Sequence, residues 1–214
     1  MKTQARVVVI GGGAIGTSIL YHLSKYGWKD VVLVEKHELT SGSTWMAAGN
    51  CSFFHGNYYC TRVNMKSIEI YQKLEAETGQ SPGWHTTGSI RTADNPGRME
   101  ELGYIYSMNR CLGLNVSWVS PEELARLHPM MNVKGITAGL YWPDDGDVDP
   151  NGITQAMALG AKKQGAEIYS HTRVTGLTQK TDEEWIVHTD KGDITCQWVV
   201  NAAGLWAPQV AAMA

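Results

Sequence analysis

The 214-residue sequence has no long hydrophobic run and no strong excess of charge. Its longest mainly apolar stretch, residues 7–20, is interrupted by glycine and is shorter than the ~20 residues that a membrane-spanning helix needs. The net charge of −3 provides no basic surface for a polyanion. We therefore predict neither a membrane nor a nucleic acid as partner.

Paired cysteines are also absent. Cys51, Cys60, Cys111 and Cys196 are scattered without the spacing of metal ligands, so we predict no metal site. We interpret them as reduced thiols of a cytoplasmic protein, packed as small buried hydrophobic side chains. Only residues 1–5 precede the first predicted strand, and the sequence therefore indicates no signal or transit peptide.

What is present is a pattern over residues 6–36. The apolar run Val7–Ile10 leads into a glycine-rich segment, an apolar-periodic stretch continues to Tyr26, and a second apolar run, Val31–Val34, ends at Glu35. This order predicts a βαβ unit that binds a dinucleotide. A carboxylate at Glu35 is placed to accept a hydrogen bond from a ribose hydroxyl, and it disfavours the 2′-phosphate of an NADP-type nucleotide.

The glycines of this unit have separate expected roles. Gly11 permits the tight turn after the strand, Gly13 lets a pyrophosphate approach the backbone, and Gly16 lets the helix pack closely on the strand. Ala14 and Ile15 open the helix, where unpaired N–H groups favour phosphate. The pattern alone does not distinguish FAD from NAD, and a glycine-rich turn in another α/β domain is the structural alternative.

Small and hydroxyl residues dominate the next segment, residues 40–50, which also holds one Trp and one Met. One interpretation is a loop that comes close to a flat ligand and donates hydroxyls to phosphate. The other is an ordinary loop followed by a short helix capped by Ser43 or Thr44. Composition does not separate the two interpretations.

Periodicity and capping residues predict the remaining elements. Helices are expected at 64–78, 98–112, from 121 to before Pro129, and 150–164 with Asp149 as N-cap. Strands are expected at 86–92, 133–142, 166–169, 171–177, 185–189, 193–196 and 198–201, the last of them buried, with a hairpin turn at residues 190–192.

Several motifs resemble a known family. The segment Gly42–Gly49 follows Glu-Lys-x-x-Leu-Thr, and further matches lie at residues 66–79, 87–91, 139–141, 145–150 and 199–207. Together they resemble the dimethylglycine and sarcosine dehydrogenases, which are FAD-dependent amine oxidoreductases related to D-amino acid oxidase and glycine oxidase. The resemblance covers nearly the whole sequence.

This resemblance implies a fold class and a domain arrangement. The fold is α/β, a Rossmann-like FAD-binding fold with a βαβ start and a small β-meander, together with a partial α+β substrate-side domain. Residues 1–50 form the first FAD-binding segment, residues 51–142 mostly the substrate-side region, and residues 143–214 the second FAD-binding segment. Because members of the family continue well beyond this length, we expect the 214 residues to be a fragment.

The resemblance also implies the cofactor-binding residues, including Val174, whose backbone packs against the adenine. The predicted set is Gly11, Gly13, Ala14, Ile15, Gly16, Glu35, Lys36, Gly42, Ser43, Thr44, Trp45, Met46, Ala47, Ala48, Gly49, Asn50, Val174, Ala203, Gly204 and Trp206. No residue of the sequence is predicted as a catalytic acid or base.

Met46 departs from the family pattern. In the dehydrogenases a histidine follows the Thr-Trp pair and carries the flavin covalently, whereas this sequence has Met46 there. A thioether has no nucleophilic nitrogen, so we predict that FAD is held non-covalently. Met46 is then expected to act as an apolar contact near the ring.

Three hypotheses for the function follow. In the first, the protein oxidises a secondary or tertiary amine such as dimethylglycine or sarcosine by hydride transfer to flavin, with oxygen, an electron-transfer flavoprotein or a quinone as electron acceptor. Tetrahydrofolate is then a partner only of a longer parent chain. The second is an NAD-dependent dehydrogenase, and the third is a catalytically incomplete fragment that binds only FAD.

Overall fold

The computed structural model describes residues 1–181 and 184–214, which form two compact units. The first unit contains Met1–Gly49, Tyr71–Gly83 and Asp149–Ala214, and the second contains Asn50–Ile70 and Trp84–Val148.

Helices and strands intermix over the first three quarters of the chain, and four consecutive strands then precede the final short helix. In order they are β1 (Gln4–Ile10), α1 (Ala14–Lys25), β2 (Val31–Val34), β3 (Asn50–Cys51), α2 (Tyr58–Thr78), β4 (Ser89–Ala93), α3 (Pro96–Cys111), β5 (Ser117–Val119), α4 (Pro121–Leu127), β6 (Ala138–Trp142), β7 (Gly146–Asp147), α5 (Pro150–Lys163), β8 (Glu167–Tyr169), β9 (Val174–Thr181), β10 (Glu184–Thr189), β11 (Ile194–Asn201) and α6 (Ala207–Ala211). Two short 3₁₀ helices cover Thr44–Met46 and Gly204–Trp206.

The first unit is built on a six-stranded sheet with the order β8-β2-β1-β11-β10-β9. Strands β8, β2, β1 and β11 are parallel, whereas β11, β10 and β9 form an antiparallel meander. The predicted α/β fold with a βαβ start and a β-meander is confirmed.

The last strand of the meander differs from its prediction. The two expected strands at 193–196 and 198–201 are one strand, β11, because its first residues pair with β10 while Thr195 to Asn201 pair in parallel with β1. The second half was also expected to be buried, but the side chain of Trp198 is 59% exposed. One continuous strand thus links the meander to the parallel part of the sheet.

The carboxyl ends of three parallel strands meet at one edge of this sheet. The N–H of Gly11, after β1, donates to the carbonyl of Val34 at 2.9 Å, and the N–H of Ala202, after β11, donates to the carbonyl of Ile10 at 2.9 Å. In open α/β sheets the crevice for a ligand lies at this edge. The loops that follow β1, β2 and β11 therefore converge there.

An apolar core packs on one face of the sheet. Val8 and Val32 are fully buried and pack with residues of the meander and with Val210 of α6. Since side chains alternate along a strand, Val7 and Val9 point to the opposite face, where α1 and α5 pack on each other. The βαβ unit is thus anchored by burial on both faces of its first strand.

The second unit contains a three-stranded antiparallel sheet, β4-β6-β5, and the short antiparallel pair β3-β7. Its core includes Ile68, Leu102, Leu140 and Trp142. The indole N–H of the fully buried Trp142 donates to Oδ1 of Asn109 at 2.9 Å, which satisfies a polar group that burial would otherwise leave unpaired.

A buried carboxylate ties three segments of the second unit together. Asp145 accepts hydrogen bonds from the hydroxyl of Ser52 at 2.6 Å, from the N–H of Phe53 at 2.9 Å and from the hydroxyl of Ser89. Burial raises the pKa of Asp145, and these three donors oppose that rise.

Several predicted boundaries were inexact. Helix α2 begins at Tyr58 instead of 64, because the side chain of Asn57 accepts from the N–H groups of Tyr59 and Cys60 and caps the helix. Helix α3 begins at Pro96, with Asn95 as its cap. The interpretation of the cysteines as buried side chains was wrong for Cys60 and Cys111, which are exposed.

Candidate functional site

A cavity of about 440 Å³ lies within the first unit at the carboxyl ends of β1, β2 and β11. Its walls come from the glycine-rich loop, the loop after β2, residues 40–44, residues 172–174 and the segment from Ala202 to Met213. Among the predicted cofactor-binding residues, it is lined by Gly11, Gly13, Ala14, Ile15, Glu35, Lys36, Gly42, Ser43, Thr44, Val174, Ala203, Gly204 and Trp206.

Two glycines fix the geometry of the loop after β1. Gly11 has φ +117°, a conformation that L side chains rarely adopt, and a Cβ there would lie 2.4 Å from the carbonyl oxygen of Ala202. A Cβ on Gly16 would lie 1.8 Å from the carbonyl oxygen of Gly11. Helix α1 therefore packs so close to the turn that only glycine, which has no Cβ, fits at position 16.

The carboxylate of Glu35 links the two loops that follow β1 and β2. Its Oε2 accepts from the N–H of Gly12 at 2.6 Å, and its Oε1 accepts from the N–H of His37 at 2.9 Å. Each carboxylate oxygen has a second acceptor position, so both remain able to accept from a ligand hydroxyl. The same carboxylate therefore shapes the loop and presents acceptors at the cavity.

The segment 40–44 is attached to the start of α1. The hydroxyl of Thr44 accepts from the N–H of Ala14 at 3.1 Å, and the N–H of Thr40 donates to the carbonyl of Gly12 at 3.0 Å. The 3₁₀ helix at Thr44–Met46 has no side-chain cap, so Thr44 caps α1 instead of the short helix that the alternative interpretation proposed. No hydrogen bond of the described residues uses the N–H of Gly13.

Lys36 and Trp206, which both line the cavity, are in direct contact. The ammonium nitrogen of Lys36 lies 3.2 Å from the centroid of the Trp206 ring, a cation–π contact. Burial lowers the pKa of Lys36 most, and the positive charge of Arg173 lowers it further, while Glu35 opposes the change. The cavity wall thus carries an aromatic face and a partly desolvated cation.

Seven predicted residues do not line the cavity: Gly16, Trp45, Met46, Ala47, Ala48, Gly49 and Asn50. Gly16 lies behind the turn, in close contact with Gly11. The side chains of Trp45 and Met46 are each 63% exposed, so neither packs in the interior of the described residues. Contact of these residues with a cofactor stays a prediction.

Other cavity residues escaped the sequence analysis. Gly12 was already part of the glycine run, and Thr172 and Arg173 directly precede Val174, so their positions gave a usable signal. His37 and residues 209, 210 and 213 belong to no motif, and only the folded chain brings them to the cavity.

These residues fit a dinucleotide such as FAD. The glycine loop exposes backbone where a side chain would fill the space, and the N–H of Gly13 and the N-terminal end of α1 favour an anion. Glu35 supplies acceptors for a ribose. Over residues 1–181 and 184–214, no three His, Cys, Asp or Glu side chains group into a metal site.

Known proteins resemble this chain in sequence and in fold. The sequence profile of a family described as FAD dependent oxidoreductase matches residues 6–214. Human mitochondrial dimethylglycine dehydrogenase is 43% identical over 212 residues, which are 99% of this chain and 24% of that protein. The 4-methylaminobutanoate oxidase (formaldehyde-forming) of Paenarthrobacter nicotinovorans is 34% identical over 214 residues, or 100% of this chain and 26% of that enzyme.

A solved structure agrees with these sequence matches. The crystal structure of L-proline dehydrogenase from P. horikoshii superimposes with a TM-score of 0.92 at 29% identity, covering 100% of this chain and 56% of that one. The chain thus spans about a quarter of the length of the curated relatives named above.

In the part of the chain that the structure describes, none of the helices combines the length and the apolar character needed to cross a membrane. The human relative is mitochondrial by name, and the cytoplasmic location expected from the sequence stays a prediction.

The resemblance found in the sequence motifs is confirmed, and the family description names FAD, which weighs against the NAD-dependent alternative. The glycine loop, the acid at the end of β2 and the cavity between them occur in a chain whose profile match extends over residues 6–214. On these grounds the chain belongs to the family of FAD dependent oxidoreductases.

Proposed function

We propose that the cavity of the first unit binds FAD non-covalently. The observation that carries the proposal is the convergence of the glycine loop, the start of α1 and the Glu35 carboxylate on one cavity. In this proposal the N–H groups at Gly13 and Ile15 hold the diphosphate, and Glu35 accepts from the adenosine ribose. The backbone of Val174 packs against the adenine, and Trp206 covers the nucleotide together with Lys36.

The identity of residue 46 supports non-covalent binding. Met46 occupies the position at which the covalently flavinylated dehydrogenases carry histidine, and its thioether sulfur cannot form the corresponding bond. Retention of the cofactor then depends on the non-covalent contacts of the cavity alone. Removing the hydrogen-bonded loop geometry should therefore release FAD from this chain.

We further propose that a protein containing this sequence oxidises an N-methylated amine, with an N-methylglycine or a similar amino acid as substrate. FAD, when bound, supplies the hydride acceptor. The chain's own residues bind and orient it and keep water from the nucleotide. Support comes from the relatives whose names specify methylated amines: dimethylglycine dehydrogenase, sarcosine dehydrogenase and 4-methylaminobutanoate oxidase.

The two units take different parts in this proposal. We assign nucleotide binding to the first unit and the substrate side mostly to the second. The predicted segments 1–50, 51–142 and 143–214 differ from these units mainly at residues 71–83, which belong to the first unit. The electron acceptor, and tetrahydrofolate as a carrier of the released carbon unit, are partners only of the whole protein.

The first experiment is a visible absorption spectrum of the purified chain, with and without added FAD, followed by acid precipitation. Flavin absorbance that moves into the supernatant supports a formed, non-covalent site. Colour retained in the pellet contradicts the assignment of Met46. A preparation that stays colourless and ignores added FAD contradicts FAD binding by this chain.

The amine-oxidising activity needs a second measurement. Reduction of bound flavin under anaerobic conditions is followed on addition of sarcosine or dimethylglycine, with glycine as the unmethylated control, for this chain and for one extended past Ala214. Bleaching of the flavin absorbance by the methylated amines supports the substrate class. Equal bleaching by glycine, or none with either form of the protein, contradicts it.

A further inference from the structure

The charged groups around the cavity are unequal in sign. Besides His37, its lining residues include one acidic side chain, Glu35, and two basic ones, Lys36 and Arg173, so basic side chains are in excess at the cavity. The chain as a whole has a net charge of −3. A positive cavity in a negatively charged chain concentrates anionic ligands near its entrance.

The backbone at Arg173 is held in place by the hairpin turn. The N–H of Arg173 donates to Oδ1 of Asp190 at 2.9 Å, and the N–H of Asp190 donates to the carbonyl of Arg173 at 3.0 Å. In the described part of the chain, the guanidinium of Arg173 forms no ion pair with a carboxylate. The fold therefore fixes the backbone of an exposed arginine whose charge is available to a ligand.

The charge of Arg173 reaches the second cation of the cavity. Arg173 acts on Lys36 strongly enough to lower its pKa, in addition to the larger effect of burial. Glu35 offsets one of the two positive charges, since its carboxylate acts on the pKa of Lys36 in the opposite direction, and one positive charge remains in excess at the cavity. Two like charges at one cavity repel each other, and an anionic ligand relieves this repulsion.

We propose that Arg173 is a specificity-determining residue that favours nucleotides carrying a diphosphate, such as FAD and ADP, over an uncharged nucleoside such as adenosine. The inference rests on the proposed FAD site and adds to it the means by which this chain selects the charge of its ligand. In this proposal Arg173 acts on the diphosphate through its charge, together with Lys36. The backbone of its neighbour Val174 packs against the adenine base.

The test measures the binding of FAD, ADP and adenosine to the purified chain by calorimetric titration at 0.1 M and 1 M salt. Arg173→Gln is compared with Arg173→Lys, which keeps the charge, and with Lys180→Gln. Lys180 is an exposed cation on the same strand, β9, six residues and thus ~20 Å beyond Val174. Lys180→Gln makes the same change in net charge as Arg173→Gln. Its distance from Val174 at the cavity exceeds the Debye length of about 10 Å at 0.1 M salt.

At 0.1 M salt, Arg173→Gln is expected to weaken FAD and ADP binding by roughly three- to tenfold, the effect of about one unit charge at close range in water. Adenosine binding stays unchanged, and the loss shrinks at 1 M salt, where the Debye length is about 3 Å. Arg173→Lys and Lys180→Gln bind all three ligands like the unaltered chain.

An equal loss of adenosine and ADP binding overturns the inference, since Arg173 then acts by packing on the base. So does an equal effect of Lys180→Gln, which assigns the change to net charge alone. FAD binding that Arg173→Gln leaves intact overturns the inference but not the proposed function. Failure of the unaltered chain to bind FAD or ADP overturns both.

Discussion

The contact between α1 and the preceding turn offers a sharp test of how the nucleotide loop is built. Gly16→Ala places a Cβ 1.8 Å from the backbone oxygen of Gly11. Gly103→Ala makes the same chemical change inside helix α3, where the added Cβ meets no atom within 4 Å. The two substitutions therefore separate helix propensity from steric conflict.

The expected effects have opposite signs. In a helix interior alanine is more favourable than glycine by up to about 1 kcal/mol, so Gly103→Ala is expected to stabilise the protein by roughly 0.5–1 kcal/mol. In Gly16→Ala the turn or the helix has to move by roughly 1 Å, because the obstacle is backbone that no rotamer change removes, and overpacking of this kind costs about 1–3 kcal/mol. We expect net destabilisation and weaker FAD binding.

Thermal unfolding followed by circular dichroism measures the change in stability of each variant. Each kcal/mol corresponds to about 2–4 °C for a chain of this size, so Gly16→Ala should lower Tm by several degrees while Gly103→Ala raises it slightly. Titration with FAD measures the change in FAD affinity. A Gly16→Ala protein as stable as the unaltered chain, with equal FAD affinity, would refute the claim that this close approach shapes the loop.

Two further predictions concern a cap and a pair of thiols. Thr44→Ala should cost about 1 kcal/mol by removing the acceptor for the Ala14 N–H, whereas Thr44→Ser keeps it; equal unfolding midpoints in urea for the two variants would contradict this role. Iodoacetamide at pH 8 should alkylate the exposed Cys60 well before Cys196, whose pKa burial raises to about 11, and peptide mass spectrometry that finds equal labelling would contradict the described burial.

Local signals in the sequence were sufficient for most elements. The βαβ unit was predicted with nearly its observed bounds because its apolar runs, its glycines and the acid after β2 all lie within 31 consecutive residues. Helices α4 and α5 were predicted because Ser120 and Asp149 cap them and a proline opens each one. Where the cap was overlooked, at Asn57, the start of the helix was misplaced.

Errors arose where distant segments decide the local conformation. The continuity of β11 depends on pairing with two different strands, β10 and β1. The residues between Cys196 and Trp198 carry no sequence signal that the strand continues. The role of Thr44 was ambiguous, since a hydroxyl caps whichever helix end lies near, and here that end belongs to α1, thirty residues earlier in the chain.

The sequence by itself determined the family, the βαβ fingerprint and the absence of a histidine at position 46, because each can be recognised from the identity and spacing of residues within short segments of the chain. Only the tertiary structure decided that Arg173 and Lys36 line the same cavity and that Glu35 accepts a hydrogen bond from the N–H of Gly12. The physical reason is that these contacts join loops at the ends of different parallel strands, and their proximity is set by sheet order and register.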